Sequence, residues 1–216
     1  MADMDYEFFE SAETVKELED GVALEHITCE REITDIEESI DIFGDPEEDS
    51  KVWSRAESDC SDSVMCEKYV SELLTGDSLA EKEIIDMLEK RSLFDAEYGC
   101  VRNDIGCYSE ISGLSVTRES GMSVKDLCES LDGGEKIICT VSGISLHFPE
   151  LGDMPGLSAD SCVEVIGIEE NDLHNKTVII NDPHDISGGS RVDMDVFTAA
   201  WGKGGCYAVM INTVGK

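Results

Sequence analysis

Basic residues are scarce in this chain. Sixteen Lys and Arg stand against 49 Asp and Glu, a formal net charge of −33. A charge of that sign and size repels nucleic acid and anionic membranes and favours basic partners. Adaptation to a saline environment is the competing reading, and nine Cys with many Ile speak weakly against it. Long apolar runs are missing as well. No stretch approaches the roughly 18 apolar residues that a membrane span requires. The opening MADMDYEFFE has neither the basic region nor the apolar run of a signal peptide. No CxxC pair occurs among the nine cysteines, at 29, 60, 66, 100, 107, 128, 139, 162 and 206, and no tight Cys/His pairing offers a zinc site. These absences predict a cytoplasmic protein with reduced thiols, with no metal, cofactor, nucleic acid or membrane as partner. Cys139 in KIICTV and Cys162 in SCVEVIG sit in apolar runs and read as small buried hydrophobes.

What is present divides in two. Residues 1–50 hold 19 acids against Lys16 and Arg31, leaving 30 acids and 14 basic residues for the rest of the 216. Residues 1–43 are therefore expected to form an acidic N-terminal extension, part helical over Val15, Leu18 and Val22 and part disordered. Ile33, Ile36, Ile40, Ile42 and Phe43 are placed to dock on the main body, which spans 44–216. There, Cys66, Tyr69, Val70, Leu73 and Leu74 recur at helical spacing, predicting a helix from Asp62 to about Leu74 that ends at Gly76. Further helices are expected at about Leu79–Arg91, Asn103–Ile111 and Val124–Leu131. The period then shortens. Ile137–Val141, Cys162–Ile168, Val178–Asn181 and Ala208–Asn212 read as strands, with Asn171–Lys176 a hairpin loop and a short helix at Met194–Trp201 capped by Asp193. Helices first and strands later indicate an α+β domain. No internal repeat is visible.

Seven segments, in order, resemble one family: GDPEEDSKVW (44–53), SELLTG (71–76), YGCVRNDIGCYSEISGL (98–114), VKDLCESLDGGEKIICTVSG (124–143), ADSCVEVIGIE (159–169), VIINDP (178–183) and VFTAAWGKGG (196–205). The set resembles the bacteriocin-processing, double-glycine peptidases, a branch of the papain-like cysteine peptidases, and within them the free-standing bacterial members. That resemblance implies a papain-like fold, a helical half packed on a mainly antiparallel sheet. It also implies a Cys nucleophile opening the first helix, a Gln six residues earlier for the oxyanion, a His at the start of the second central strand, and an Asp in the Asn-Asp-Pro turn. A helix N-terminus and an imidazolium lower the pKa of such a thiol, and the carboxylate fixes the imidazole tautomer.

In the register fixed by Trp53 and by Leu74-Thr75-Gly76, those positions carry Ala56, Asp62 and Ser161, and Asp182 alone matches. The resemblance therefore implies a pseudopeptidase without catalytic residues. Its remnant cleft would bind a basic peptide or protein, with Asp62, Ser161, Asp182, Trp53 and Trp201 as candidate lining residues. By analogy, inactive domains of this family attached to exporters act as substrate docks. Competing roles stay open. Asp62 suits a helix cap or first turn, Asp182 an Asx turn, and the two Trp side chains core packing. Cys60, two residues before the nucleophile position, is the alternative nucleophile of an active thiol peptidase. Cys66 reads as core, and strand alternation points Cys162 to the face opposite Ser161. Asp62 with Asp182 is a conceivable carboxylate pair for acid–base work or metal. His147, His174 and His184 read as surface-loop residues, although His184, two residues past Asp182, has the reach to swing in. A regulatory subunit pairing with an active relative is the third reading.

Overall fold

A computed structural model describes residues 40–152, 154–171 and 174–215. The expectations for residues 1–39 lie outside the described residues. The chain enters through β1 (Ile40–Gly44), α1 (Pro46–Asp49), α2 (Asp62–Thr75), α3 (Glu81–Glu89), α4 (Cys107–Ile111), β2 (Ser115–Glu119) and α5 (Val124–Asp132). It continues through β3 (Lys136–Val141), α6 (Gly143–His147), β4 (Ser161–Asn171), β5 (Lys176–Asn181), β6 (Ser190–Asp193), α7 (Met194–Gly202) and β7 (Ala208–Asn212). The fold is α+β, as the change of period from helix to strand implies.

The strands form one antiparallel sheet in the order β2-β7-β3-β4-β5-β6, with β1 added on β4. The long β4 gives one edge to two partners. Val141–Ile137 pair with its first half, 161–165, and Ile40–Gly44 with its second half, 167–171. On its other edge the register with β5 shifts between Val165 and Gly167. The extra residue resets the alternation, so Val163, Val165 and then Ile168 face the same way. Because residues 40–43 pair in this sheet, the domain begins before Gly44. Phe43 packs on the core while Ile40 and Ile42 stay exposed.

Each sheet face has its own helices. On one side α2 lies over β3 and β4, where Cys66 and Val70 meet Ile138, Cys162, Val209 and Ile211. On the other, α5 and α7 bring Leu127, Leu131, Phe197 and Trp201 against Ile137, Val163, Val165, Val178 and Ile180. α2 follows its apolar stripe and stops at Gly76, where φ is +77° and the amide donates to the Glu72 carbonyl at 2.9 Å. The single helix expected over Asn103–Ile111 is split. A turn at 102–104 and α4 are separated by Gly106, at φ +96°, and a Cβ there would stand 2.7 Å from a Val116 methyl. Among the described residues no helix is long and apolar enough to cross a membrane.

Candidate functional site

The first turn of α2 is anchored by α3. Ser61, the residue ahead of the helix, gives its hydroxyl to Glu81 Oε1 at 2.5 Å and to the Ser58 carbonyl at 2.9 Å. Glu81 also accepts from the amide of Glu57 at 2.8 Å, so α3 fixes the approach of residues 57–61 to the helix. Asp62 is the first residue of α2, and its side chain does not cap the helix. Oδ2 accepts the Ser161 hydroxyl at 2.5 Å, and Oδ1 lies 2.5 Å from His184 Nε2. A carboxylate only accepts, so Nε2 carries the proton of that contact. Ser161 opens β4 and His184 lies in the loop after β5, so three separate elements meet at one carboxylate.

The Asn-Asp-Pro turn supplies the second carboxylate. Asp182, 2 % exposed, accepts the His184 amide on Oδ1 at 2.8 Å, an Asx turn, and faces His147 Nε2 with Oδ2 at 3.0 Å. Burial pushes the Asp182 carboxyl up. The His147 hydrogen bond, the His184 amide and the two imidazoles outweigh that, and its pKa falls below the ordinary value. The same hydrogen bond raises His147 against the opposing effect of burial, and the charges of Asp182 and Asp185 add to it. The turn itself is held from outside. The Trp53 indole donates to the Asp182 carbonyl at 2.7 Å, and the Ala56 amide donates to the Pro183 carbonyl at 2.9 Å. Asn181 ties the end of β5 to the Asp49 carbonyl at 3.0 Å and to Glu164 at 2.8 Å.

Beside Asp62 lies a cavity of about 540 Å³, bordered by Cys60, Tyr98, Arg102, Thr140, Cys162 and Lys203 among others. Cys60 is half-buried there, and its thiol donates to the Glu97 carbonyl at 3.3 Å. Cys66 and Cys162 are buried, and burial pushes both thiols well above their ordinary value; Cys162 and Glu164 add to the rise at Cys66, and Asp62 and Cys100 to the rise at Cys162. Among the described residues no cysteine sulfur hydrogen-bonds an imidazole. Nor does any group of three or more His, Cys, Asp and Glu side chains form a metal cage among them. Asp62 and Asp182 are each engaged by their own imidazole.

Three readings from sequence need correction: those of His147, His184 and Trp201. His147 and His184 are not loop decoration: each pairs with a site carboxylate. His174 is a surface residue, paired with Glu170 at 2.8 Å. Trp201 cannot line a cleft, since it is 1 % exposed in the core and its indole donates to the Tyr207 carbonyl at 2.9 Å. Cys162 joins Cys66 on the α2 side of the sheet. Asp62, Ser161 and Asp182 do come together. Trp53 and Ala56 serve the Asn-Asp-Pro turn through backbone acceptors. His147 was missed, and His184 was read only as having the reach to swing in, because their contacts span 35 and 122 residues of chain. The one local signal was the place of His184 inside the Asx turn of Asp182.

No family model and no curated protein matches the sequence. Solved structures do match in fold. A C39-like peptidase from Bacillus anthracis superposes with a TM-score of 0.53 at 16% identity, over 74% of this chain and 92% of that one. The peptidase domain of Streptococcus ComA, a bifunctional ABC transporter involved in a quorum-sensing pathway, does so with a TM-score of 0.52 at 14% identity, over 74% and 97%. The chain thus has the papain-like fold of the C39-like peptidases.

Proposed function

We propose that this chain, built on a C39-like peptidase fold, is a non-catalytic binder that holds a basic peptide or protein segment in the cleft beside α2. The observation that carries the reading is Asp62. It stands at the helix start where the resemblance places a nucleophilic thiol, and both its oxygens are engaged, by Ser161 and by His184. A cysteine peptidase works through a thiolate activated by an adjacent imidazole. Cys66 and Cys162, the thiols packed nearby, are held in their protonated form by burial. Binding an extended peptide needs only backbone acceptors, pockets and complementary charge. The cavity of about 540 Å³ supplies space, and the net charge of −33 favours cationic clients.

One observation favours a second reading. Cys60 borders the same cavity and is half-buried rather than enclosed, so an active peptidase using Cys60 is the alternative. Its hydrogen bond to a carbonyl instead of an imidazole supports the first reading over it.

Fluorescence anisotropy with labelled lysine-rich and glutamate-rich peptides of equal length tests the proposal. The basic peptide is expected to bind and the acidic one not. Its affinity should weaken between about 0.1 M salt, with a Debye length of about 10 Å, and about 1 M, with about 3 Å. Asp62→Lys should weaken it further. Equal binding of both peptides, or salt-independent binding, overturns the electrostatic part of the reading. No binding of any peptide overturns the whole.

A further inference from the structure

We propose that the imidazole serving the first turn of α2 has moved within the fold: His184, from the loop after β5, is the proton-carrying partner of position 62, in place of a side chain from β4. The inference rests on the assignment of Asp62 to the nucleophile position, and extends it from what is missing to what remains. Ser161, at the β4 position, offers only a hydroxyl, and it donates to Asp62 Oδ2 at 2.5 Å. His184 reaches the other oxygen from the loop after β5. Its backbone is fixed at the same time, because its amide is the donor of the Asx turn closed by Asp182 Oδ1 at 2.8 Å. Asp182 thus orients this histidine through the main chain, and its second oxygen is taken by His147 at 3.0 Å. His147 contacts Asp182 and not Asp62, so the two imidazoles have different carboxylates.

The ring of His184 is therefore placed, and what lacks a partner for hydrolysis is residue 62. With cysteine there, a sulfur near the present Cγ would lie within about 3.7 Å of Nε2, the 2.5 Å contact lengthened by one C–O bond of about 1.2 Å. The proton transfer is balanced. The S–H bond breaks, a neutral imidazole takes the proton on Nε2, and a thiolate–imidazolium pair results, with the N-terminus of α2 adding to the stabilisation of the anion. In the natural chain the Asp62 carboxylate stands where that thiolate would be. Its charge and its two hydrogen bonds keep His184 and Ser161 where they are. His184 is a positioning partner in this state, since no reacting atom is present.

The test uses the full chain carrying Asp62→Cys and Cys60→Ser, with iodoacetamide labelling followed by peptide mass spectrometry to read residue 62 alone. A thiol of ordinary pKa near 8.5 is about 0.3 % ionised at pH 6, whereas one paired to an imidazole and lowered to about 6 is half ionised. After allowing for the lower nucleophilicity of a less basic thiolate, labelling at pH 6 should be roughly tenfold faster than for free cysteine. Adding His184→Ala should return the rate to that of free cysteine, and adding His147→Ala should not. Labelling that follows an ordinary thiol, or that survives His184→Ala unchanged, overturns the inference. A wild-type measurement covers the case in which the triple variants unfold. Nitrogen-15 spectra should show a slowly exchanging Nε2–H of His184 that is lost in Asp62→Ala, and a rapidly exchanging one in wild type overturns the inference as well. Neither readout depends on peptide binding, so this proposal and the binding proposal fail separately.

Discussion

Replacing Glu164 by glutamine should stabilise this protein, and more so as pH rises. Glu164 lies on β4, faces α2, and is fully buried. Oε2 accepts from Asn181 Nδ2 at 2.8 Å, while Oε1 has no partner among the described residues. Burial, opposed in part by the Asn181 hydrogen bond, pushes the carboxyl up from 4.5 to about 8. Between those values the folded protein keeps a proton that the unfolded chain has released, so stability declines as pH climbs through that window. At roughly 1.4 kcal/mol per pH unit, the residue costs on the order of 3 kcal/mol by pH 7. Glutamine keeps an oxygen for Asn181, replaces the acid's O–H by N–H, and never ionises. Urea denaturation followed by tryptophan fluorescence is the assay. Glu164→Gln should lie within about 1 kcal/mol of wild type near pH 5 and about 3 kcal/mol above it at pH 7. Glu67, raised to about 7 mainly by burial, tilts the wild-type curve the same way, and the difference between variant and wild type isolates Glu164. A gap that fails to widen with pH, or a variant less stable at pH 8 than wild type, refutes the reasoning.

Two further outcomes follow from the site and the core. The His147–Asp182 pair stabilises the fold only while His147 is charged and Asp182 ionised. Its contribution should fade as pH rises through the raised His147 pKa and as pH falls through the lowered Asp182 pKa. In an NMR titration, Asp182→Asn should bring the His147 midpoint down, and an unmoved midpoint contradicts the pairing. Trp201→Ala removes a side chain that packs on Phe197 with ring centroids 5.7 Å apart. It should cost about 3–5 kcal/mol, measured by denaturant unfolding monitored by circular dichroism, and a loss below about 1 kcal/mol would return Trp201 to a surface role.

Legibility of the sequence followed burial and length. α2 announced itself because its stripe is long and its stop is a glycine in the left-handed region. The central strands β3, β4, β5 and β7 were legible because both their faces are covered, which leaves continuous Val and Ile runs. β2 and β6 were not, because they are edge strands with alternate residues open to water. SVTRE and SRVD carry too little apolar signal to stand out. α6 is one turn and a half, shorter than any periodicity can show. The positions of Asp62, Ser161 and Asp182 came from the family resemblance, and the structure brings them together. Of the histidines that complete the site, His147 was hidden and His184 showed only as a residue near enough to Asp182 to swing in. Their pairing depends on how β4, β5 and α6 fold against α2, and no spacing in the chain encodes that meeting.

The most direct measurement is the fate of a basic peptide kept with the purified full-length protein and read by mass spectrometry, in wild type and in Cys60→Ala. The account expects the peptide to be recovered whole from both, although it binds. Cleavage by wild type that disappears in Cys60→Ala would show a working thiol in the cleft and contradict it.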